Sequence, residues 1–304
     1  MKRFDECEPF SYLKDYEPFF FDVEKNKEIK AVIDESLKAY SALISAVSEL
    51  ESRVIESVNQ GRVQGDGFIE TVLIFLLRKL SANLDAISTL YSKSILIPSQ
   101  LILRSLVENA IYIEFIVDGD VEERASAYYL HPFYEEMEIM KNQNNRNMLS
   151  AESVKLWKKK EAAIQSLIKS RQSFVNIDNK RSQKGKFVNW YGVCGIGNFK
   201  DLMKKMGYGN RYDAIYKGTS LETHAANATK QLKVDGSNSE IALIRSPLSG
   251  GTVFSLASTF VTGCLDKMAD YLGDEALKTE FLDFKVDYYV HHDKIVADFD
   301  RIKD

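Results

Sequence analysis

Apolar residues recur along this chain at steps of three and four, and the pattern holds over most of its length. From Ile29 to Asn59, Ile33, Leu37, Tyr40, Ile44, Val47, Val54 and Val58 follow the alternation of a bundle seam, with Glu51 the one interruption. The spacing predicts a long amphipathic helix, ended by Gly61, Gly65 and Gly67. A second helix is expected from about Gly67 to Ser94. It is more apolar, through VLIFLL and then Leu80, Leu84, Ile87 and Leu90, so it should lie deepest in the first half. Pro98 suits the first turn of a third helix, which Asp118-Gly119-Asp120 closes as a turn. A fourth begins at Val121, and Pro132 marks a kink or a restart within it. Long helices joined by such short turns read as an antiparallel up-and-down bundle.

The second half keeps the period but carries more charge. Gln143 to Met148 reads as a polar loop, and Ser150 offers an N-cap for a helix reaching about Ser173, with Leu156, Ile164, Leu167 and Ile168 inward. Residues 174–197 read as irregular, basic and aromatic. Asn198 caps a short helix that Gly207 stops. From Tyr212 to Lys230 a further helix sets Tyr212, Tyr216, Ser220 and His224 at successive i, i+4 positions, one polar stripe on one face. Val234 to Gly251 is a loop whose EIALIRSP suits a short strand or an extended arm. Val253 to Tyr271 is a second apolar helix, stopped by Gly273, and a last amphipathic helix starts near Asp274. The expected fold class is all-α, an up-and-down helical bundle with additional helices packed on it. Residues 1–28, aromatic and acidic, form an N-terminal arm. Residues 29–145 form a four-helix half, and 146–304 a second helical half packed on it as one compact unit.

Composition narrows the function classes. With 304 residues, 45% of them hydrophobic, the chain can bury one large core or two modest ones. A formal net charge of -4 supplies no global basic field, which argues against a general nucleic-acid coat or an anionic-membrane binder. A local basic patch is still compatible with that charge. Cys7, Cys194 and Cys264 are scattered, without a C-x-x-C, so neither a disulfide framework nor a zinc knuckle is expected. His291 and His292 are adjacent and point to different faces, which does not make a metal site. The start, MKRFDECEPF, has acids where a signal peptide needs an apolar run. The longest apolar run, Val72 to Leu77, falls far short of the roughly 20 residues that span a bilayer. The expectation is a cytoplasmic protein with no membrane contact, no metal and no cofactor.

Candidate chemistry falls in three places. Arg104 and Glu108 form an i, i+4 pair on an otherwise apolar helix, and a buried Arg–Glu pair seldom stabilises more than apolar residues would, so it hints at function or specificity. If that helix faces the Tyr212–Lys230 stripe, Arg104, Glu108, Tyr216, Ser220 and His224 meet. The group then works either as a proton-transfer site, with Glu108 orienting His224, or as a buried network in which each member satisfies another. Arg124 and His131 lie two turns apart at the start of the fourth helix. Lys180, Arg181, Lys184 and Lys186, followed by Trp190 and Tyr191, combine charge with stacking rings, as a phosphate or single-strand contact needs.

Two resemblances follow from these residues. Arg124-x6-His131, in RASAYYLH, resembles the R-x4-6-H signature of the HEPN superfamily, all-helical proteins of which many are metal-independent ribonucleases. That resemblance implies His131 in proton transfer, Arg124 on the phosphate, RNA as substrate and a homodimer as the working unit. Ala125 stands where the superfamily often has a polar residue, and Pro132 follows the His directly. The Arg104-x3-Glu108 helix, the acidic turn into EERASAYY, the Tyr216-x3-Ser220-x3-His224 helix and Leu243-Ile-Arg-Ser-Pro247 together resemble an uncharacterised bacterial family of helical proteins, a domain of unknown function, over roughly 70–270. It implies an all-helical fold with the two polar helices facing each other. Its loose likeness to helical proteins of mobile-element and phage-defence neighbourhoods implies a toxin-like or effector role. The alternative is a non-enzymatic helical module that binds a protein or small ligand, its polar cluster structural.

Overall fold

Helix α1 spans Lys27–Asn59, opened by Asn26, whose side-chain oxygen accepts from the Ile29 N–H at 3.1 Å. The computed structural model describes residues 26–62, 66–184, 189–216, 232–235, 238–241 and 250–303. The expected N-terminal arm lies outside them, apart from its last few residues, of which Lys27 and Glu28 already belong to α1. Glu51, the break in the seam, sits at the edge of the α1–α2 contact and accepts from Arg78 Nε at 2.7 Å.

Helix α2 (Phe68–Ser92) is buried along Val72, Leu73, Leu76, Leu77, Leu80, Leu84 and Ile87, the deep position its composition predicts. Helix α3 (Leu96–Val117) holds Pro98 in its first turn, where the missing N–H has no intrahelical partner to lose. Helix α4 (Val121–Asn145) is capped by Asp120 and runs unbroken through Pro132, so there is no restart. It also takes in the first part of the expected polar loop.

The bundle draws its fourth wall from the far end of the chain. Helix α9 (Gly250–Leu272) packs between α3 and α1, and α10 (Glu275–Lys303) closes over α9 and α1. Phe254, Ala257, Phe260, Val261, Cys264, Leu265 and Met268 of α9 are completely enclosed. Each large side chain buried this way contributes about 2 kcal/mol by area. Helix α4 instead packs chiefly on the elements that follow it, because Ala125, Leu130 and Tyr134 make a narrower apolar stripe.

Helix α5 (Ala151–Lys169) starts at Ser150 as expected and buries Ile164 and Ile168. Leu156, expected inward, is 69% exposed. The inward line continues from Ile164 back by seven residues to Trp157, and Leu156 is turned about 100° from it. The stretch expected to be irregular from residue 174 is largely helical, as α6 (Gln172–Lys184), because Phe174 and Ile177 bury one face of a full helical turn. A 3-10 turn (Trp190–Cys194), α7 (Phe199–Lys205) and a second 3-10 turn (Gly209–Arg211) follow. Asn198 caps α7 as expected, and Gly207, at φ 85°, lets the chain leave it in the left-handed region.

Helix α8 is described over 212–216. An antiparallel hairpin, β1 (Leu232–Asp235) with β2 (Asn238–Ile241), sits between α8 and α9, in the register Leu232↔Ile241 and Val234↔Ser239. It covers the first part of the segment expected as a strand or arm. The fold class is all-α, with one small hairpin among the described residues. Among the described residues, no helix is long and apolar enough to cross a membrane.

Candidate functional site

The α3 surface that faces α7 and α8 carries Arg104, Glu108 and Tyr112 one turn apart, between rows of buried Leu103, Leu106, Val107 and Ile111. Apolar neighbours fix the helix, and with it the face from which these three side chains project. Arg104 Nε donates to Glu108 Oε1 at 3.2 Å, and the Tyr216 phenol donates to the same oxygen. The Arg104 guanidinium also lies over the Tyr216 ring, 4.2 Å from its centroid. The expected meeting of the two helices therefore occurs, with Tyr216 as the described residue that makes it. Ser220 and His224 lie outside the described residues.

Aromatic rings build the wall behind the carboxylate. Phe199 of α7 packs on Tyr216 with centroids 5.2 Å apart, and Tyr212 stacks on Tyr216 at 4.7 Å. Tyr112 is wedged against Trp190, Tyr191 and Phe199 at 5.3, 6.2 and 5.9 Å. Burial, and then the negative Glu108, holds the Tyr112 and Tyr216 phenols well above their ordinary range. Burial pushes Tyr191 up to about 12, with Glu108 and Tyr212 adding to the effect. The carboxylate thus accepts from one phenol, Tyr216, and its charge acts on two more, Tyr112 and Tyr191. The Arg104 and Glu108 side chains remain 36% and 30% exposed, so the group is open on one side.

The other candidates are placed differently. Arg124 Nη1 donates to the Phe115 carbonyl, and its guanidinium covers the Phe115 ring at 4.1 Å. This is the position of a cation closing the carboxyl end of a helix, here α3. His131, a further two turns along α4, is half-buried beside Glu135, with Nε2 at 3.2 Å from Oε1. Burial lowers its pKa and the Arg181 charge adds to that, while Glu135 pulls the other way. Arg181 itself lies over the Tyr134 ring, at 4.3 Å.

Of the basic-aromatic set, Lys180 pairs with Glu123 and Arg181 with the Tyr134 ring. Lys184 ends α6, and Lys186 lies outside the described residues. Trp190 and Tyr191 are 4% and 3% exposed, packed against Tyr112 rather than open to solvent. Tyr112 was not among the candidates, although its signal was there: it extends the Arg104, Glu108 spacing by one more turn. Among the described residues, no group of three or more His, Cys, Asp or Glu is arranged to hold a metal ion.

The fold and site define a helical-bundle protein with an Arg–Glu–Tyr centre between two of its helices. Residues 70–240, more than half of the chain, match the model of a family of unknown function (DUF5677), and the chain belongs to that family. The match takes in both polar helices and ends in β2, short of the segment Leu243–Pro247. No curated protein and no solved structure matches the chain.

Proposed function

We propose that the chain is a metal-independent endoribonuclease of the effector type, with Arg104, Glu108 and Tyr216 at its centre. The observation that supports this reading is the joint placement of a cation, a proton acceptor and a phenol in one hydrogen-bonded group with an open side. Metal-free RNA cleavage needs a base to take the 2′-hydroxyl proton, a cation for the charged phosphorane and a proton for the departing 5′-oxygen. Glu108 fits the first role and Arg104 the second. His224, on the same expected helix as Tyr216, is the candidate for the third. The 2′-oxygen bonds to phosphorus as the bond to the 5′-oxygen breaks, leaving a cyclic phosphate and a 5′-hydroxyl.

A second reading draws on the same contacts. Arg104, Glu108 and Tyr216 satisfy one another, as members of a structural network do in a non-enzymatic binding module. A third reading keeps the HEPN-like centre at Arg124 and His131, with Arg124 here turned to the Phe115 carbonyl.

Expression of the chain and scoring of growth, RNA integrity and cyclic-phosphate ends separates the three. The ribonuclease reading expects cleavage by the wild type, a loss of about a hundredfold or more in Glu108→Gln and His224→Ala, and none in His131→Ala. Loss in His131→Ala with Glu108→Gln active moves the centre to α4. RNA left intact by the wild type under every inducing condition leaves the binding module.

A further inference from the structure

A cleft of about 320 Å³ opens at the end of the bundle where α1 finishes, α2 begins and α9 turns into α10. Its polar lining is Arg53, Ser57, Arg62, Glu70, Tyr271 and Asp274. Glu70 forms part of the wall and is 3% exposed. Its Oε1 accepts from the Tyr271 phenol at 2.9 Å, and its Oε2 has no partner among the described residues. A carboxylate oxygen taken out of water without a donor carries a substantial desolvation cost.

The opposite charges of the cleft do not meet across it. Arg53 is held at the rim by Glu49, at 2.8 Å, and Glu280, at 3.7 Å. Arg62 is exposed at the end of α1. Among the described residues, neither arginine pairs with Glu70. Asp274 spends one oxygen on the Ala276 and Leu277 N–H groups that open α10, both at 3.1 Å. Ile69 and Leu272 give the space between the charges an apolar waist.

We propose that this cleft binds a small zwitterion of the ω-amino-acid kind, its cationic nitrogen on Glu70 and its acidic group on Arg62 and Arg53. A ligand with both signs supplies the donor that Glu70 lacks and an anion for Arg62, which has no ion pair among the described residues, and its methylenes lie on Ile69 and Leu272. An anion alone leaves the buried Glu70 oxygen without a donor, and a cation alone gains nothing from the arginines at the rim. The site is remote in sequence from Arg104 and Glu108 and stands independently of the ribonuclease reading.

Isothermal titration calorimetry of the full chain tests it with glycine, 4-aminobutanoate and 6-aminohexanoate, against butylamine and butanoate. The expected result is saturable binding with an optimum chain length, about tenfold or more tighter than either single-charge control. Glu70→Gln and Arg62→Gln each weaken it by about tenfold or more. Arg62→Gln, at an exposed position, carries the test if circular dichroism shows that Glu70→Gln does not fold. Three results overturn the proposal: no zwitterion binding to the wild type, affinity unchanged by the folded variants, or butylamine binding as tightly as the zwitterions.

Discussion

Helix α3 carries two carboxylates that each accept from a tyrosine of the segment 208–216, and their settings are opposite. Glu108 accepts from Tyr216 and from an adjacent cation, Arg104, and is 30% exposed. Glu114, six residues on and therefore on another face, is 1% exposed between α3 and α9. It has one hydrogen bond among the described residues, from Tyr208 at 3.2 Å. Burial raises its pKa to about 8; Tyr208 and Lys267 oppose that, and Asp266 and Asp118 reinforce it. The same side chain with a phenol partner is half-exposed and paired with a cation at Glu108, and enclosed and held as an acid to about pH 8 at Glu114. A cation within reach and an open side make the difference, which is why the centre proposed for chemistry is Glu108.

The largest test of that contrast is Glu114→Gln. The unfolded chain releases this proton near the ordinary carboxylate value, whereas the folded chain holds it to about pH 8. Between those limits the folded state binds more protons, so stability falls as pH rises, and the penalty is complete above the folded value. A glutamine accepts from Tyr208 and never charges. The variant should therefore match the wild type near pH 4.5 and exceed it by about 4 kcal/mol at pH 8, read from urea unfolding at both pH values. A gain of equal size at both would assign the effect to packing.

Next in size is Gly263→Ala. Gly263 of α9 faces α3, and a Cβ there would overlap the Tyr208 hydroxyl and come within 3.2 Å of Glu114 Oε1. A glycine at this point lets two helices and a phenol close around the acid. The methyl group should cost about 2 kcal/mol, as overpacking in a filled interior does. The same unfolding experiment measures it, and an unchanged midpoint would mean that the Tyr208–Glu114 contact is loose.

Much of this arrangement was legible in the chain, and the reasons are local. The Arg104, Glu108 pair stood out because charged residues at i, i+4 interrupt a continuous apolar helix, and Tyr216 because it belongs to a polar stripe. Their meeting could be anticipated since buried charges need partners. Periodicity did not reveal that α9 supplies the fourth wall of the bundle, because an apolar stripe states that a face is covered and not by which helix. Helix α6 was read as irregular because its basic residues obscured the Phe174, Ile177 spacing. Glu70 and Glu114 were passed over for a different reason. Each is a lone acid in an apolar stretch, and the phenol that answers it, Tyr271 or Tyr208, lies 201 or 94 residues away.

The smallest effect belongs to Tyr216→Phe, and it sharpens the comparison most directly. The change removes the phenol from Glu108 but leaves the ring under Arg104. Glu108 keeps its ion pair and its contact with water, so the loss should be about 0.5 kcal/mol, the low end for a half-exposed hydrogen bond. The matching change at the other end, Tyr208→Phe, takes from Glu114 its one described donor and should cost more. It should also move the acid's titration further upward, since that hydrogen bond is the main influence holding it down. Unfolding at pH 6 and pH 8 measures both variants. Equal losses would show that Arg104 and the open side do not distinguish the two carboxylates, and the case for Glu108 as the proton acceptor would fall with that distinction.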